Sequence, residues 1–324
     1  MKKMLKTIGI SVGALVAVLI VFLLGLTAFH RISLGLEQGQ LIPPGHMVEV
    51  NGEMLHVYLA GENEEAPRLV FLPGQTISPP VYGFKPLYSL LADDYRVAVI
   101  EPFGFGYSDI TDVPRDIDVV IAEMREALYY LGETGPFILI PHSMGGLDAL
   151  RWAQRYPEEV AGIVGINMAH PAMWLDGHVP TQTPAYRRVT MWMGLQRLPF
   201  FSSMFYPYPY HEDVLTEGEH GQQRLLINRN AMNRSFASRT GHAFPSSQII
   251  VNDGFPNVSM LLLVSRTSAI PYFVPYQEEL ARQMGAQIEF FDSGHALHQY
   301  EPERIASLIR TFISAFEEDQ EAIQ

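Results

Sequence analysis

One stretch, residues 137–147, constrains the fold more than any other, because it joins a buried strand to a helix through a turn with a serine at its apex. It reads Phe-Ile-Leu-Ile-Pro-His-Ser-Met-Gly-Gly-Leu. Its apolar first half is typical of a buried strand, and the apolar faces that follow predict a helix ending around Arg155. An abrupt strand-to-helix turn crowds its backbone, so small residues such as Gly145 must lie beside the apex. Ser143 is therefore predicted to stand clear of the sheet, where a substrate can reach it.

The turn resembles the nucleophile elbow of the α/β-hydrolase superfamily, whose pattern is Gly-x-Ser-x-Gly. The matching residues are Pro141-His142-Ser143-Met144-Gly145, with Pro141 in place of the first glycine. Proline lacks an N–H and fixes φ near about −65°, so this departure constrains the turn without forbidding it. Taken alone, the residues also fit a helix that begins with a serine cap. The other motifs of the chain favour the elbow.

The rest of the chain alternates predicted strands and helices, a rhythm typical of a parallel sheet covered on both faces. Five further apolar runs predict strands at residues 68–72, 95–100, 160–166, 259–265 and 287–291. Asn51-Gly52 between two alternating segments predicts a hairpin with a type I′ turn at the amino-terminal edge. The predicted fold class is α/β: an α/β-hydrolase fold with a mostly parallel eight-stranded sheet flanked by helices, a helical lid insertion and an N-terminal transmembrane helix.

The predicted domain organisation follows from composition and from the spacing of the strands. About 90 residues separate the sixth strand from the seventh, which is too long for a structureless loop and predicts an inserted helical lid. We expect a cytoplasmic tail and transmembrane anchor at 1–30, a stalk at 31–46, an α/β-hydrolase core at 47–171 and 256–324, and a lid at 172–255.

The amino terminus carries a long apolar segment. From Ile8 to Phe29 no residue is charged, and these roughly 22 residues span about 33 Å as a helix, enough for a bilayer core. Lysines 2, 3 and 6 precede the segment, and the positive-inside rule then places the amino terminus in the cytoplasm. We predict a single-pass protein of the cell membrane with its catalytic domain outside. The alternative is a cleaved signal peptide, whose apolar core is usually only about 7–15 residues.

The resemblance also implies a base and an oxyanion hole. The segment Gly294-His295, followed by a helix from Pro302, resembles the superfamily's catalytic-histidine loop, which makes His295 the expected base. The loop Pro73-Gly74-Gln75 follows the third strand, and the resemblance implies that the N–H groups of Gln75 and Met144 bind the oxyanion. Gly74 would let the backbone approach a ligand closely. His298 is expected to be a packing or hydrogen-bonding neighbour.

The acid of the triad is missing from its usual place. Many members of the superfamily have Gly-x-x-Asp after the seventh strand, but here the chain reads Ser265-Arg266-Thr267-Ser268. Asn167, at the end of the sixth strand, is the first candidate for the group that accepts the Nδ1–H of His295. A carboxylate, Asp253 or Asp176, is the second. An asparagine can hold the imidazole but brings no charge, so Asn167→Asp is expected to raise activity.

Two functions are compatible with these motifs. The first is a serine hydrolase that cleaves carboxylic esters with an apolar acyl group, with Ser143, His295 and Asn167 as catalytic residues. We expect Gly74, His142, Met173 and Trp174 to bind the substrate, since Met and aromatic residues, which are frequent up to Tyr210, form adaptable apolar walls. The second is a weakly active or non-catalytic binding protein, which the missing acid would explain.

Composition excludes several other classes. The net charge of −13 without a basic stripe argues against nucleic acid as a partner. The chain has no cysteine, which excludes a thiol nucleophile, disulfides and thiolate metal sites. The histidine spacing matches no metal motif, so neither a metal nor a cofactor is expected. The expected partners are a small-molecule ester or lipid substrate and the membrane.

Overall fold

The computed structural model describes residues 2–75, 79–199, 201, 214–270 and 272–323. These residues form one sheet of eight strands. The strands are β1 (His46–Val50), β2 (Glu53–Ala60), β3 (Arg68–Leu72), β4 (Arg96–Glu101), β5 (Phe137–Pro141), β6 (Val160–Ile166), β7 (Ser259–Ser265) and β8 (Gln287–Phe291). The helices are α1 (Lys2–Glu37), α2 (Pro80–Gly83), α3 (Lys85–Tyr88), α4 (Ile117–Tyr130), α5 (Gly145–Arg155), α6 (Ala172–Leu175), α7 (Ala185–Trp192), α8 (Glu217–Asn230), α9 (Arg234–Asp253), α10 (Phe273–Met284), α11 (Leu297–Tyr300) and α12 (Pro302–Ile323).

The strand order is β1-β2-β4-β3-β5-β6-β7-β8. The first two pairs in this order, β1 with β2 and β2 with β4, are antiparallel. All the following pairs in this order, from β4 with β3 to β7 with β8, are parallel. The predicted fold class, an α/β-hydrolase fold with a mostly parallel eight-stranded sheet, is confirmed. Because the strands from β3 to β8 are parallel, their carboxyl ends lie along one edge of the sheet, and the loops that leave β3, β5 and β6 meet there.

The sequence of the central strands explains why both faces of the sheet are covered. In β3, Val70 and Leu72 pack in one apolar cluster and Leu69 and Phe71 in the other, as the period of two in a strand requires. All four are fully buried, and burial of each such side chain contributes about 1.5–3 kcal/mol. A continuous apolar run, rather than an alternating one, is the pattern of a strand buried on both faces.

The turn between β1 and β2 is the predicted hairpin. Asn51 has φ +54° and Gly52 has φ +81°, and positive φ at both central positions is what a type I′ turn requires. Asparagine and glycine tolerate this region of backbone space better than other residues.

By contacts, the chain divides into two compact units: residues 1–41 with 184–207, and residues 42–183 with 208–324. Helix α1 belongs to the first unit and is long and apolar enough to cross a membrane, a property that signal sequences share. The sheet belongs to the second unit. Helices α6 to α9 lie between β6 and β7, where the sequence predicts a helical insertion. The boundaries 172 and 255 of the predicted lid stay predictions, and most of its aromatic residues from 200 to 210 lie outside the described residues.

Candidate active site

Ser143 lies at the junction of β5 and α5 in a backbone conformation that serine rarely adopts. Its φ is +50°, in the left-handed region. Three main-chain hydrogen bonds hold the turn: the N–H of Ser143 donates to Ile166 O at 3.3 Å, and its carbonyl accepts from the N–H of Ala169 at 2.7 Å and of Gly146 at 2.9 Å. A strained conformation persists only where surrounding structure imposes it, and such sites are frequently functional.

Two glycines allow the turn to lie close to the end of β3. A Cβ on Gly145 would be 2.5 Å from the carbonyl oxygen of Leu72, and a Cβ on Gly74 would be 2.7 Å from the Cβ of Ser143. Both distances are shorter than real contacts of a Cβ, so only glycine fits without a shift of the backbone. The loop after β3 therefore lies directly against the candidate nucleophile.

A cavity of about 320 Å³ opens at this edge of the sheet. Ser143, His295, His142, Gly74 and Gln75 all line it, so the structure brings together most of the site residues predicted from sequence. Its other walls are Pro73, Pro80, Gly83, Phe84, Ser268, Ala269, Ile270, Ala296, His298 and Gln299.

Gln75 and Met144 have main-chain N–H groups available for an oxyanion. Within the described ranges, neither N–H donates a main-chain hydrogen bond. The side chain of Gln75 is held from outside the loop: its Nε2 donates to Phe236 O at 3.2 Å and to the Oγ1 of Thr240, both on α9. Sequence reasoning missed Thr240, because a threonine inside a helix gives no pattern that marks it as a site residue.

The ring of His295 is partly buried beside two other rings. The ring of His142 is 5.0 Å away and that of Phe273 is 5.7 Å away, edge-on. Its Nδ1 is buried and has no hydrogen-bond partner among the described residues. This burial lowers the pKa of His295 from 6.5 to about 4. The ring is therefore a neutral base across the ordinary pH range.

The two neighbouring histidines are also kept neutral. Burial first, and then the proximity of His295, lowers the pKa of His298 to about 3. Burial first, and then the proximity of His298 and His295, holds the pKa of His142 well below its usual value. His298 packs against Phe84 and His142, with ring centroids 4.8 Å and 4.7 Å apart, as expected for a packing neighbour. The Nε2 of His142 lies 3.3 Å from the carbonyl oxygen of His295. In the described part of the chain, no group of three or more potential ligands could hold a metal ion.

Asn167 contacts His295 differently from the way the sequence predicts. Its Nδ2 donates to the main-chain carbonyl of His295 at 2.7 Å, and its Oδ1 accepts from the N–H of Ser265 at 2.7 Å. The Oδ1 bonds to β7, and the Nδ1 of His295 has no hydrogen-bond partner among the described residues, so the predicted pairing of Asn167 Oδ1 with the Nδ1–H is wrong. Asn167 is fully buried with φ +44°, and it joins the ends of β6 and β7 to the histidine loop.

The two alternative acids are engaged elsewhere. Asp253 pairs with Arg151, and Asp176 accepts a hydrogen bond from the hydroxyl of Tyr276 at 2.6 Å. Where the superfamily pattern has aspartate, Ser268 lines the cavity beside His295. Because Ser268 occupies the position of the aspartate in the Gly-x-x-Asp pattern, the sequence could have indicated that it lies in the site.

Met173 and Trp174, predicted to bind substrate, are not among the residues that line this cavity. They are 1 % and 5 % exposed and pack in the apolar cluster on one face of the sheet. Buried core residues and cavity walls are both apolar, so composition could not separate the two roles. Phe84 does line the cavity, but the sequence does not mark it as a site residue. It lies between α2 and α3, which are too short to give a recognisable pattern.

Residues 69–308 match the sequence profile of the alpha/beta hydrolase family. The chain belongs to this family. The match covers most of the sheet together with Ser143 and His295, and the strand order agrees with it.

Three comparisons show the range of the family's relatives. An uncharacterized protein of Bacillus subtilis, YbdG, is 28 % identical over 96 % of this chain and 97 % of its own length. A pimeloyl-[acyl-carrier protein] methyl ester esterase of Shewanella woodyi is 35 % identical over 35 % of this chain and 39 % of its own. The structure of a putative epoxide hydrolase from Pseudomonas aeruginosa superposes with a TM-score of 0.67 at 17 % identity, over 86 % of this chain and 98 % of the other. The last likeness concerns the fold alone.

Proposed function

We propose that this protein is a serine hydrolase that cleaves carboxylic esters through an acyl-enzyme. The observation that carries the proposal is the position of Ser143, held with positive φ at the strand-to-helix apex and lining one cavity with His295 and the loop after β3. A serine at the apex favours attack on an acyl carbon. One relative, the methyl ester esterase, has this reaction in its name.

The proposed reaction has two steps. Ser143 Oγ attacks the ester carbonyl while His295 takes its proton, and the N–H groups of Gln75 and Met144 stabilise the oxyanion. Collapse of this intermediate expels the alcohol, which takes the proton from the imidazolium. Water, activated by the same histidine, then attacks the acyl-enzyme and releases the carboxylic acid. Two prepositioned N–H donors of this kind are worth roughly 10²–10³-fold each in rate.

In the proposed hydrolase the base, His295, has no carboxylate bonded to its Nδ1 among the described residues. A base with a pKa of about 4 accepts a proton less readily than an ordinary histidine, and no charge among the described residues stabilises the imidazolium that forms. We therefore propose that Asn167 acts as a positioning residue, fixing the main chain of His295 through its Nδ2 rather than the ring through its Oδ1. Low turnover is the expected consequence.

The cavity favours a small ester with an apolar acyl group. Its volume of about 320 Å³ lies at the lower end of the range of roughly 300–1,000 Å³ for ligand sites. Phe84, Ile270 and Pro80 give it apolar walls, and the three histidines near it are neutral. Gly74 and His142 would contact the bound ester.

The second candidate is a weakly active or non-catalytic binding protein. It is favoured by one observation, the buried Nδ1 of His295, which lacks any partner within the described residues. Labelling of the full chain with a fluorophosphonate separates the two functions. A hydrolase is expected to form a phosphonyl adduct on Ser143 and to hydrolyse p-nitrophenyl butyrate with a burst of p-nitrophenol. Ser143→Ala should lose both signals. Absence of adduct and burst in the folded wild type favours the binding protein.

We further propose that α1 is a retained single-pass anchor in the cell membrane, with residues 42–324 outside. The length and composition of α1 support this. Protease added to intact cells should digest the sheet-containing unit, while undigested protein fractionates with membranes. Recovery of that unit from the medium would instead show cleavage.

A further inference from the structure

Helix α7 (Ala185–Trp192) has a stripe of three large side chains, mostly apolar, that are more than half exposed. Tyr186, Val189 and Trp192 recur at intervals of three residues, which places them on one side of a helix, and they are 71 %, 53 % and 55 % exposed. Arg187 and Arg188 are also exposed. A helix with Trp and Tyr on one side and arginines beside them is typical of a segment that lies in a membrane interface.

The same unit fixes α7 to the carboxyl end of α1. The guanidinium carbon of Arg31 lies 5.0 Å from the ring centre of Trp192. Just after α7, Arg197 donates to His30 Nδ1 at 2.7 Å and forms two hydrogen bonds of 2.6 Å to the carboxylate of Glu37. Since Arg197 and Glu37 are 12 % and 19 % exposed, this pair is shielded from solvent.

These contacts place α7 at a defined level along α1. The uncharged segment of α1 ends at Phe29, and Arg31 follows two residues later, about 3 Å further along the helix. The polar layer on each side of a bilayer is about 5–8 Å thick. When the apolar segment of α1 spans the hydrocarbon, the backbone of Arg31 lies in that layer, and its guanidinium brings the ring of Trp192 to the membrane surface.

We propose that the stripe of Tyr186, Val189 and Trp192 binds the lipid surface and that α7 is an interfacial helix beside the membrane span. This inference rests on the proposed anchoring of α1. The apolar side chains would enter the boundary between headgroups and acyl chains, and Arg187 and Arg188 would contact lipid phosphates. A lipid surface is the occupant to which the geometry points, because Trp and Tyr concentrate at this depth and arginines attract anionic headgroups.

The absence of cysteine from the chain allows a direct test. The full chain is prepared with a single spin label at Val189→Cys and reconstituted in vesicles of phosphatidylcholine and phosphatidylglycerol. Collision rates with oxygen, which partitions into lipid, and with a water-soluble nickel chelate then report the depth of the label. Arg187→Cys, on another side of the same helix, is the matched control, Tyr186→Cys is a second test position, and Val18→Cys reports insertion of α1.

We expect oxygen to relax the labels at 189 and 186 more than the chelate does, and the reverse at 187. The inference would be overturned if the chelate collided equally often with the labels at 189, 186 and 187 while the label at 18 lay deep in the bilayer. In that case the proposed anchoring of α1 would still hold. Protection of 189 from both reagents would also overturn it, because a protein surface would then cover the stripe. An accessible label at 18 would contradict the anchoring itself.

Discussion

Lowering the pH tests the environment of His295 most directly, because the neutral imidazole is the active form of the base. Its pKa of about 4 means that protonation, and loss of activity, occurs only as the pH falls toward 4. At about pH 5.5 a histidine with a pKa of about 6.5 is roughly 9 % neutral, whereas one with a pKa of about 4 is roughly 97 % neutral. Between about pH 7.5 and about pH 5.5, kcat/KM should therefore change by less than about 10 %, where an unperturbed base would give about a tenfold fall.

The assay is the initial rate of p-nitrophenyl butyrate hydrolysis at low substrate concentration, since kcat/KM reports the ionisation of the free enzyme. Stability must be followed in parallel by circular dichroism. The folded pKa values of His142, His295 and His298 all lie below the unfolded value, so the unfolded state binds more protons and stability falls as the pH drops from about 6.5 toward 4. Only pH values at which the protein stays folded count.

Substitution of Phe273 tests whether the burial of His295 sets the pH dependence of activity. Phe273 packs edge-on against His295, and Phe273→Ala should admit water and move the acid limb upward toward about pH 6.5. Phe273→Leu keeps most of the volume and should leave the limb near its original place. An acid limb centred near about 6.5 in the wild-type protein would refute the reasoning.

Three substitutions test the remaining contacts. Asn167→Asp removes the donor to the carbonyl oxygen of His295 and places two buried acceptors face to face. Because an unpaired buried acceptor costs about 1–3 kcal/mol, kcat should fall by roughly ten- to a hundredfold. This prediction reverses the one made from sequence, and a gain in kcat would support the earlier one. Gly74→Ala would place a Cβ 2.7 Å from the Cβ of Ser143 and so displace the loop after β3. Loss of the oxyanion donor on this loop should lower kcat by roughly 10²–10³-fold. An unchanged melting temperature is the control for correct folding. Thr240→Val removes one of the two hydrogen bonds that hold the side chain of Gln75 and should lower kcat about tenfold at unchanged KM. Thr240→Ser retains the hydroxyl and should match wild type. Equal rates for both variants would contradict a positioning role.

The sequence predicts the sheet well because its strands are continuous apolar runs and its turns carry specific chemistry. The hairpin at Asn51 and the elbow at Ser143 both have the positive φ that their motifs demand. Each of these features depends on neighbours in the chain.

Features that depend on distant partners were missed. An asparagine at position 167 does not by itself indicate which amide atom faces β7 and which faces the histidine loop. The predicted hydrogen bond between Asn167 and the Nδ1 of His295 was wrong for this reason. The apolar character of Met173 suits a core position as well as a cavity wall. The contact between Gln75 and Thr240 joins residues 165 positions apart, and no local pattern marks either partner.

That contact also limits how freely the parts of such a chain can be exchanged. Thr240 and Phe236 belong to α9, in the segment between β6 and β7, yet they hold the side chain of Gln75, the residue whose N–H is proposed to bind the oxyanion. A chimera that takes this segment from a relative without a hydroxyl at position 240 would leave the side chain of Gln75 with only its bond to a main-chain carbonyl. Substrate preference and turnover would then change together, even though every residue of the elbow and the histidine loop is retained. Transplantation of the segment should therefore carry position 75 with it as a matched pair.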